Sequence, residues 1–237
     1  MAISLNRADE DIFSGYSKLE TPEERIEHKV EGSLMFEGHK DLLKKYEDFL
    51  TLDRWSKIYR TSAKITSVLK PEQINGFLQT TIRYEYHDNY SLSTGIFITR
   101  LIQNSHDEGN NMFMLNTKVL FRDIDGIGFE LKGKWDKSLE IIVEGNVGND
   151  SFERAKNIGK LHIAGNAGDY CGRGAQNINE LYIGGNARSE CGKGVDDCTF
   201  KTPNMQTLQL LKETVSKGKG NKIYFIHPNK EEEEIKW

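Results

Sequence analysis

The pairs Gly145-Asn146, Gly165-Asn166 and Gly185-Asn186 stand twenty residues apart with nothing inserted, each preceded by a short β-rich run. Self-similarity at so short a fixed period means that each unit buries its apolar face only against a stacked neighbour. Three units align: Ile141 to Lys160, Leu161 to Glu180 and Leu181 to Phe200. Ile141, Leu161 and Leu181 share one column and Val143, Ile163 and Ile183 another, so an alternating inward pair points to the same interior line in every unit. Val147, Ala167 and Ala187 coincide as small or β-branched residues at a bend, and Ile158 and Ile178 mark a second inward position.

Glycine at a repeated register means that the same sharp bend, or the same close passage of backbones, recurs in each unit, because a Cβ there costs about 1 kcal/mol or more. Asn146, Asn166 and Asn186 would lie about 4.8 Å apart, which reads as a structural ladder with amide-to-amide bonding. Within the middle unit Gly165, Gly168 and Gly172 form GxxGxxxG. The first unit keeps Gly145 and Gly148 with Phe152 in the third place, and the last keeps Gly185 and Gly192 with Arg188 in the second. The pattern resembles the glycine-motif repeats found in the C-terminal domain of the large subunit of glutamate synthase and in one subunit of formylmethanofuran dehydrogenase. That resemblance implies a right-handed parallel β-helix used as a spacer or assembly part in larger enzymes. A rival pattern, Ile158-x-x-Leu161-x-Ile163-x-x-Asn166 and its copy ending at Asn186, resembles the leucine-rich repeat but lacks the apolar residue two positions after the asparagine, where Gly168 and Arg188 stand.

The rest of the chain is less regular. Thr21-Pro22-Glu23-Glu24 has the form of a capping box opening a helix, and Ser33 to Phe36 reads as a brief strand. From His39 to about Tyr59, Leu42, Leu43, Tyr46, Phe49 and Leu50 recur on one helical face. From Ile65 to Leu131 the period falls to two: Ile82, Tyr84 and Tyr86 alternate with polar residues, His87-Asp88-Asn89 supplies a turn, and Tyr90 to Ile102 resumes a β-branched run, which reads as a hairpin. Met112 to Leu115 and Lys118 to Phe121 read as further paired strands, and the whole region reads either as a β-meander or as irregular early coils of the solenoid, which the sequence does not separate. After the repeat, Met205, Leu208, Leu211 and Val215 form a helical stripe, Lys222 to Ile226 a strand, and Glu231 to Glu234 a solvated tail.

The expected fold is therefore mainly β with α caps: a short right-handed β-helix of about three coils, capped by N-terminal helices and antiparallel strands and by a C-terminal helix and strand. Residues 1–135 form the cap region and 136–237 the repeat with its C-terminal cap, joined in one unit.

A net charge of −4 offers no general attraction for phosphate backbones, so nucleic acid is not an expected partner. The acidic start and the lack of a membrane-length apolar run lead to the expectation of a cytoplasmic protein with no membrane partner. Three cysteines do not make a disulfide framework. Cys171 and Cys191, equivalent in register, read as small buried thiols, although stacking would also bring them within disulfide range.

No complete catalytic, metal or cofactor signature is legible. Cys198 with His162, Asp169 or Asp197 has no recognised zinc spacing, and His162 points outward between Leu161 and Ile163. Arg173 and Lys193 stack as a basic column, a candidate contact for a protein partner. Asp150 and Glu190 share a column with Tyr170, beside Asp169, as an outer-face hydrolase would need. The functional expectation is a non-catalytic protein-interaction or scaffold module, by partner binding or self-association, with a carbohydrate-active hydrolase or lyase as the alternative.

Overall fold

The twenty-residue spacing becomes a hydrogen-bond register. In the computed structural model, which describes residues 40–236, Ile141 of β2 (Glu140–Glu144) pairs with Leu161 of β4 (Lys160–Ile163), and Leu161 with Leu181 of β5 (Gln176–Ile183). β3 (Lys156–Ile158) pairs with β5, and β5 with β6 (Asp196–Thr202), which pairs in turn with β7 (Lys222–Ile226). All these pairings are parallel. Ile141, Val143, Leu161, Ile163, Leu181 and Ile183 point inward and are buried, as the alternation requires. The capping-box and strand readings at residues 21–24 and 33–36 lie outside the described residues.

The first stacked layer escapes a fixed-period reading because its offset differs. β1 (Met112–Asn116) pairs with β2, Phe113 opposite Ile141, so the sheet begins before the boundary expected at residue 135. Residues 124–131 then lie on the turn 148–156: Gly148 N–H donates to Ile124, Phe152 to Ile127 and Lys156 to Leu131. Here Asn149 N–H donates to Asp125 Oδ1 over a separation of 24 residues, where later layers repeat at 20. A small excursion, with Lys134 bridged to Lys137, takes up part of the difference.

The expected fold class does not hold. The described chain is mixed α/β, with five α-helices and one open, eight-stranded, mostly parallel sheet, and a β-helix is not what it forms. The helices are α1 (Lys40–Leu50), α2 (Trp55–Ser62), α3 (Pro71–Thr80), α4 (Tyr90–Asp107) and α5 (Met205–Thr214). The helix read as continuous to Tyr59 breaks between Leu50 and Trp55. Among the described residues no antiparallel strands cap the N-terminal side: Thr81–Tyr84 is a 3₁₀ turn, the run from Tyr90 is α4, and Lys118 to Phe121 is not a strand. The period-two reading fails because α4 is buried around most of its circumference, so no one-sided apolar stripe betrays the helix. At the other end Glu232–Glu234 is not a free tail. It forms β8, antiparallel to β7, the one antiparallel strand pairing among the described residues.

Helices terminate the stack by replacing the layer that is missing. On α4, Ser91, Gly95, Thr99 and Gln103 fall four apart and face the turn 123–132. Ser91 Oγ accepts from Asp125 N–H at 3.0 Å, Thr99 Oγ1 from Gly128 N–H at 2.7 Å, and Gln103 bonds both backbone groups of Lys132, at 2.9 and 3.1 Å. Gly95 admits the closest approach, since a Cβ there would stand 1.9 Å from the Asp125 carbonyl oxygen. On α3, Asn75 Oδ1 accepts from Asn116 N–H at 2.9 Å and Gln79 Nε2 donates to its carbonyl at 2.8 Å, covering the edge of β1. At the far end Asn204 caps α5, and Thr207 Oγ1 takes Ala187 N–H at 2.8 Å. One buried apolar cluster runs from Leu42 of α1 to Ile223 of β7.

The repeated glycines divide by physical cause. Gly168 has ordinary φ, but a Cβ would meet Gly148 C at 2.5 Å and Asn149 N at 2.6 Å, backbone that cannot yield. Gly194 has φ +72° with open space around it. Gly168→Ala should therefore destabilise the protein by about 3 kcal/mol through overpacking, and Gly194→Ala by about 1 kcal/mol through conformation alone. Urea unfolding of both variants checks the order, which a purely conformational role for glycine would reverse.

Candidate functional site

Stacked turns carry the charged residues. In the turn from residue 150 the left-handed conformation alternates along the chain: Asp150 at φ 56°, Phe152 at 56° and Arg154 at 55°. The next two layers place Tyr170 and Glu190 in the first position and glycines in the other two. Phe152 takes the third-glycine place and is fully buried, its ring filling the space over Gly128, so core burial offsets the cost of its backbone. Around the buried carboxylate of Glu153, the side chains of Glu130, Arg154, Arg173, Glu190 and Lys193 form a continuous ionic chain.

Along that chain Arg154 lies 3.4 Å from Glu130 and 3.7 Å from Glu153. Arg173 binds Glu153 at 2.8 Å and approaches Glu190 at 3.9 Å, and Lys193 binds Glu190 at 3.0 Å. The Arg173 guanidinium also lies 4.2 Å over the Tyr170 ring. The basic column read as a partner contact is thus already paired within the chain. Asp150 abuts Glu153. Burial first, then its hydrogen bond with Glu153 and the charge of that carboxylate, push the Asp150 carboxyl up to about 6.

The other columns are structural. Asn146 Oδ1 accepts from Asn166 N–H at 2.9 Å, and Asn166 Oδ1 from Asn186 N–H at 2.8 Å, so the ladder runs from side chain to backbone, where amide-to-amide bonding was expected. An amide-to-amide bond forms elsewhere, from Asn177 to Asn157 at 3.0 Å. Gly148, Gly165, Gly168 and Gly185 are sites of close backbone passage, whereas Gly172 and Gly192 adopt φ of +68° and +69°, and Gly145 combines crowding with φ +126°. Cys171, Cys191 and Cys198 are free and buried. A hydrogen bond with Cys191 and burial raise the Cys171 thiol, and burial pushes the Cys198 thiol up to about 11. His162 stacks on Tyr182 with centroids 4.3 Å apart. Among the described residues no three of His, Cys, Asp and Glu gather as a metal cluster would need, and no helix is long and apolar enough to cross a membrane.

The cleft that joins the helical and stacked parts was not legible beforehand. Tyr59, Arg60, Ser62 and Ala63 of α2 and its C-cap, Ile96, Thr99, Arg100 and Gln103 of α4, and the turn 129–131 enclose about 200 Å³. At its mouth Trp55 and Tyr59, four apart on α2, stack with centroids 5.3 Å apart and planes 12° apart, and both meet Phe129 edge-on. Trp55 is 42% and Tyr59 36% exposed. Tyr59 donates its hydroxyl to Glu130 Oε2, which together with burial pushes its pKa up to about 12. Arg100 Nε is buried without a hydrogen-bond partner, and such a donor costs about 1–3 kcal/mol. The four-residue spacing of Ser91, Gly95, Thr99 and Gln103 was the signal that would have placed Arg100 on a helix beside the turn. A second, smaller pocket of about 170 Å³ lies beside Asn166 and Asn186, with Asp123 and Arg188 in its lining.

Comparison of the chain with protein-family models, with curated proteins and with solved structures returns no match.

A raised carboxyl pKa stabilises the fold only while the carboxyl stays protonated. Relative to an unfolded value near 3.8, the Asp150 contribution is complete below that pH and is lost as pH rises through about 6. Asp150→Asn keeps a residue that tolerates the left-handed backbone and removes the ionisation. It should raise stability above pH 7 by on the order of 1 kcal/mol, after discounting for solvent screening. The gain should fade below about pH 4, and urea unfolding at pH 4, 6 and 8 measures it.

Proposed function

We propose that the protein is a non-catalytic interaction or scaffold module that docks a protein partner at the aromatic-edged cleft between α2 and α4. The observation that carries this reading is the Trp55–Tyr59 stack, held rigid on Phe129 while a third or more of each ring side faces solvent. A preordered aromatic pair loses little side-chain freedom on binding and presents a large apolar area, and binding energy at protein interfaces concentrates at tryptophan, tyrosine and arginine. The cleft beside it supplies depth, and Arg60 and Arg100 supply polar anchors. Arg173 and Lys193, the contact first expected, are neutralised by Glu153 and Glu190, which favours the cleft over that column.

The Asp150 carboxyl supports a second reading, the carbohydrate-active hydrolase or lyase. A carboxyl that titrates near 6 beside a second one has the character of a general acid. In that reading Asp150→Asn abolishes polysaccharide cleavage by the purified protein.

Docking is tested by immobilising the wild type, the double variant Trp55→Ala Tyr59→Ala, and Tyr86→Ala, which removes a 94% exposed ring elsewhere, and capturing partners from native extract. A partner held by wild type and Tyr86→Ala should bind the folded double variant at least about tenfold more weakly. Equal retention by all three proteins overturns the reading.

A further inference from the structure

Three of the polar side chains on the inner side of α4 have their partners in the turn backbone, and Arg100 does not. Ser91, Thr99 and Gln103 are spent on terminating the stack. Arg100, one residue past Thr99, lines the cleft with its guanidinium group, and its Nε–H, shielded from solvent, has no acceptor among the described residues. The one carboxylate on the cleft wall among the described residues is already engaged: Glu130 Oε2 takes the Tyr59 hydroxyl and Oε1 faces Arg154 at 3.4 Å. Among the described residues neither Arg60 nor Arg100 forms a salt bridge. The cleft thus holds two guanidinium groups in excess of the acceptors the chain provides, next to ring surface.

We propose that this cleft is a carboxylate-binding site, with Arg100 as the anchoring donor, Arg60 as the second cation, and Tyr59 and Phe129 as the wall for the apolar body of the ligand. The proposal rests on the reading of the cleft as the recognition surface and names the group it recognises. A guanidinium fork matches the two oxygens of a carboxylate. Glu130 on the same wall disfavours a second negative charge, which selects a monoanionic carboxylate over phosphate. At roughly 30 Å³ per water, the volume of about 200 Å³ accommodates one ring bearing an acid group. A small aromatic acid and the C-terminal residue of a partner chain present that same chemistry.

The full chain is titrated with benzoate, with its neutral isostere benzamide, with inorganic phosphate, and with a peptide ending in phenylalanine whose C-terminus is free or amidated. Binding is followed at the Arg100 Nε–H resonance and by thermal shift. At least one acid form should saturate the site below about 10 mM, and its neutral counterpart should bind at least about tenfold more weakly. Arg100→Gln and the charge-conserving Arg100→Lys, which lacks the Nε donor, should both lose at least about tenfold, while Glu130→Gln should bind the acid more tightly. Tighter binding of the free-acid peptide than of benzoate assigns the site to a partner's terminus, and the reverse assigns it to a free acid. Equal binding of acid and amide, unchanged binding in both Arg100 variants, preference for phosphate, or no saturation by any acid overturns the proposal. If it fails while capture that depends on Trp55 and Tyr59 persists, the carboxylate is wrong and the docking surface stands. If acid binding holds while capture does not depend on those rings, the docking surface is wrong.

Discussion

The structure depends on closing a stack of backbone whose hydrogen bonds point along the stacking direction. Each inner layer is satisfied by the layers on either side, as when Gly168 N–H reaches Val147 and Gly184 N–H reaches Ile163. The outer layers have a neighbour on one side only, and their unpaired N–H and C=O groups would be costly if buried and adhesive if exposed. Side chains from helices stand in for the absent layer: Ser91, Thr99 and Gln103 of α4 on the turn, Asn75 and Gln79 of α3 on β1, and Thr207 of α5 beyond Asn186. The cleft follows from this arrangement. A helix laid across the end of a stack, and a second helix packed on the first, leave a wedge between them, and that wedge contains Arg100.

Within the stack, crowding and conformation act at different positions. Gly148, Gly165, Gly168 and Gly185 lie where successive backbones pass within contact distance, so the missing Cβ is a matter of space. In the turn of alternating left-handed residues, glycine relieves conformation instead, and Phe152 shows that the same backbone is reached without glycine when a large side chain is buried in return. The charged residues of that turn neutralise one another across layers. A repeat that places Glu153, Arg173 and Glu190 in adjacent positions produces ion pairing by geometry, leaving little free charge for a ligand. The unpaired donor lies instead on the capping helix, outside the repeat.

Much of the stack was legible in the residues. Inward columns at Ile141, Leu161 and Leu181, the bend at Val147, Ala167 and Ala187, helix α5 and strand β7 all have a period or a stripe that one line of sequence displays. The first layer was not legible, because the offset between Asp125 and Asn149 differs from the repeat. Helix α4 was misread because burial on most sides removes the amphipathic signal and leaves β-branched residues that mimic a strand. The cleft residues were invisible because both helices that carry them were misread: Trp55 and Tyr59 share a helical face that a single continuous helix would have pointed elsewhere, and Arg100 sat in a supposed hairpin.

Local spacing determined by itself which side chains stack, since covalent periodicity translates directly into register once parallel strands form. Only the tertiary structure decided that the whole is a mixed α/β fold with one open sheet, because the identity of the element that covers an exposed backbone edge is a matter of packing between segments far apart in the chain. It also decided which charged groups are spent and which remain available. Arg173 finds its acid one layer away through the repeat, while Arg100 is carried by a capping helix to a wall where the chain supplies no matching acceptor.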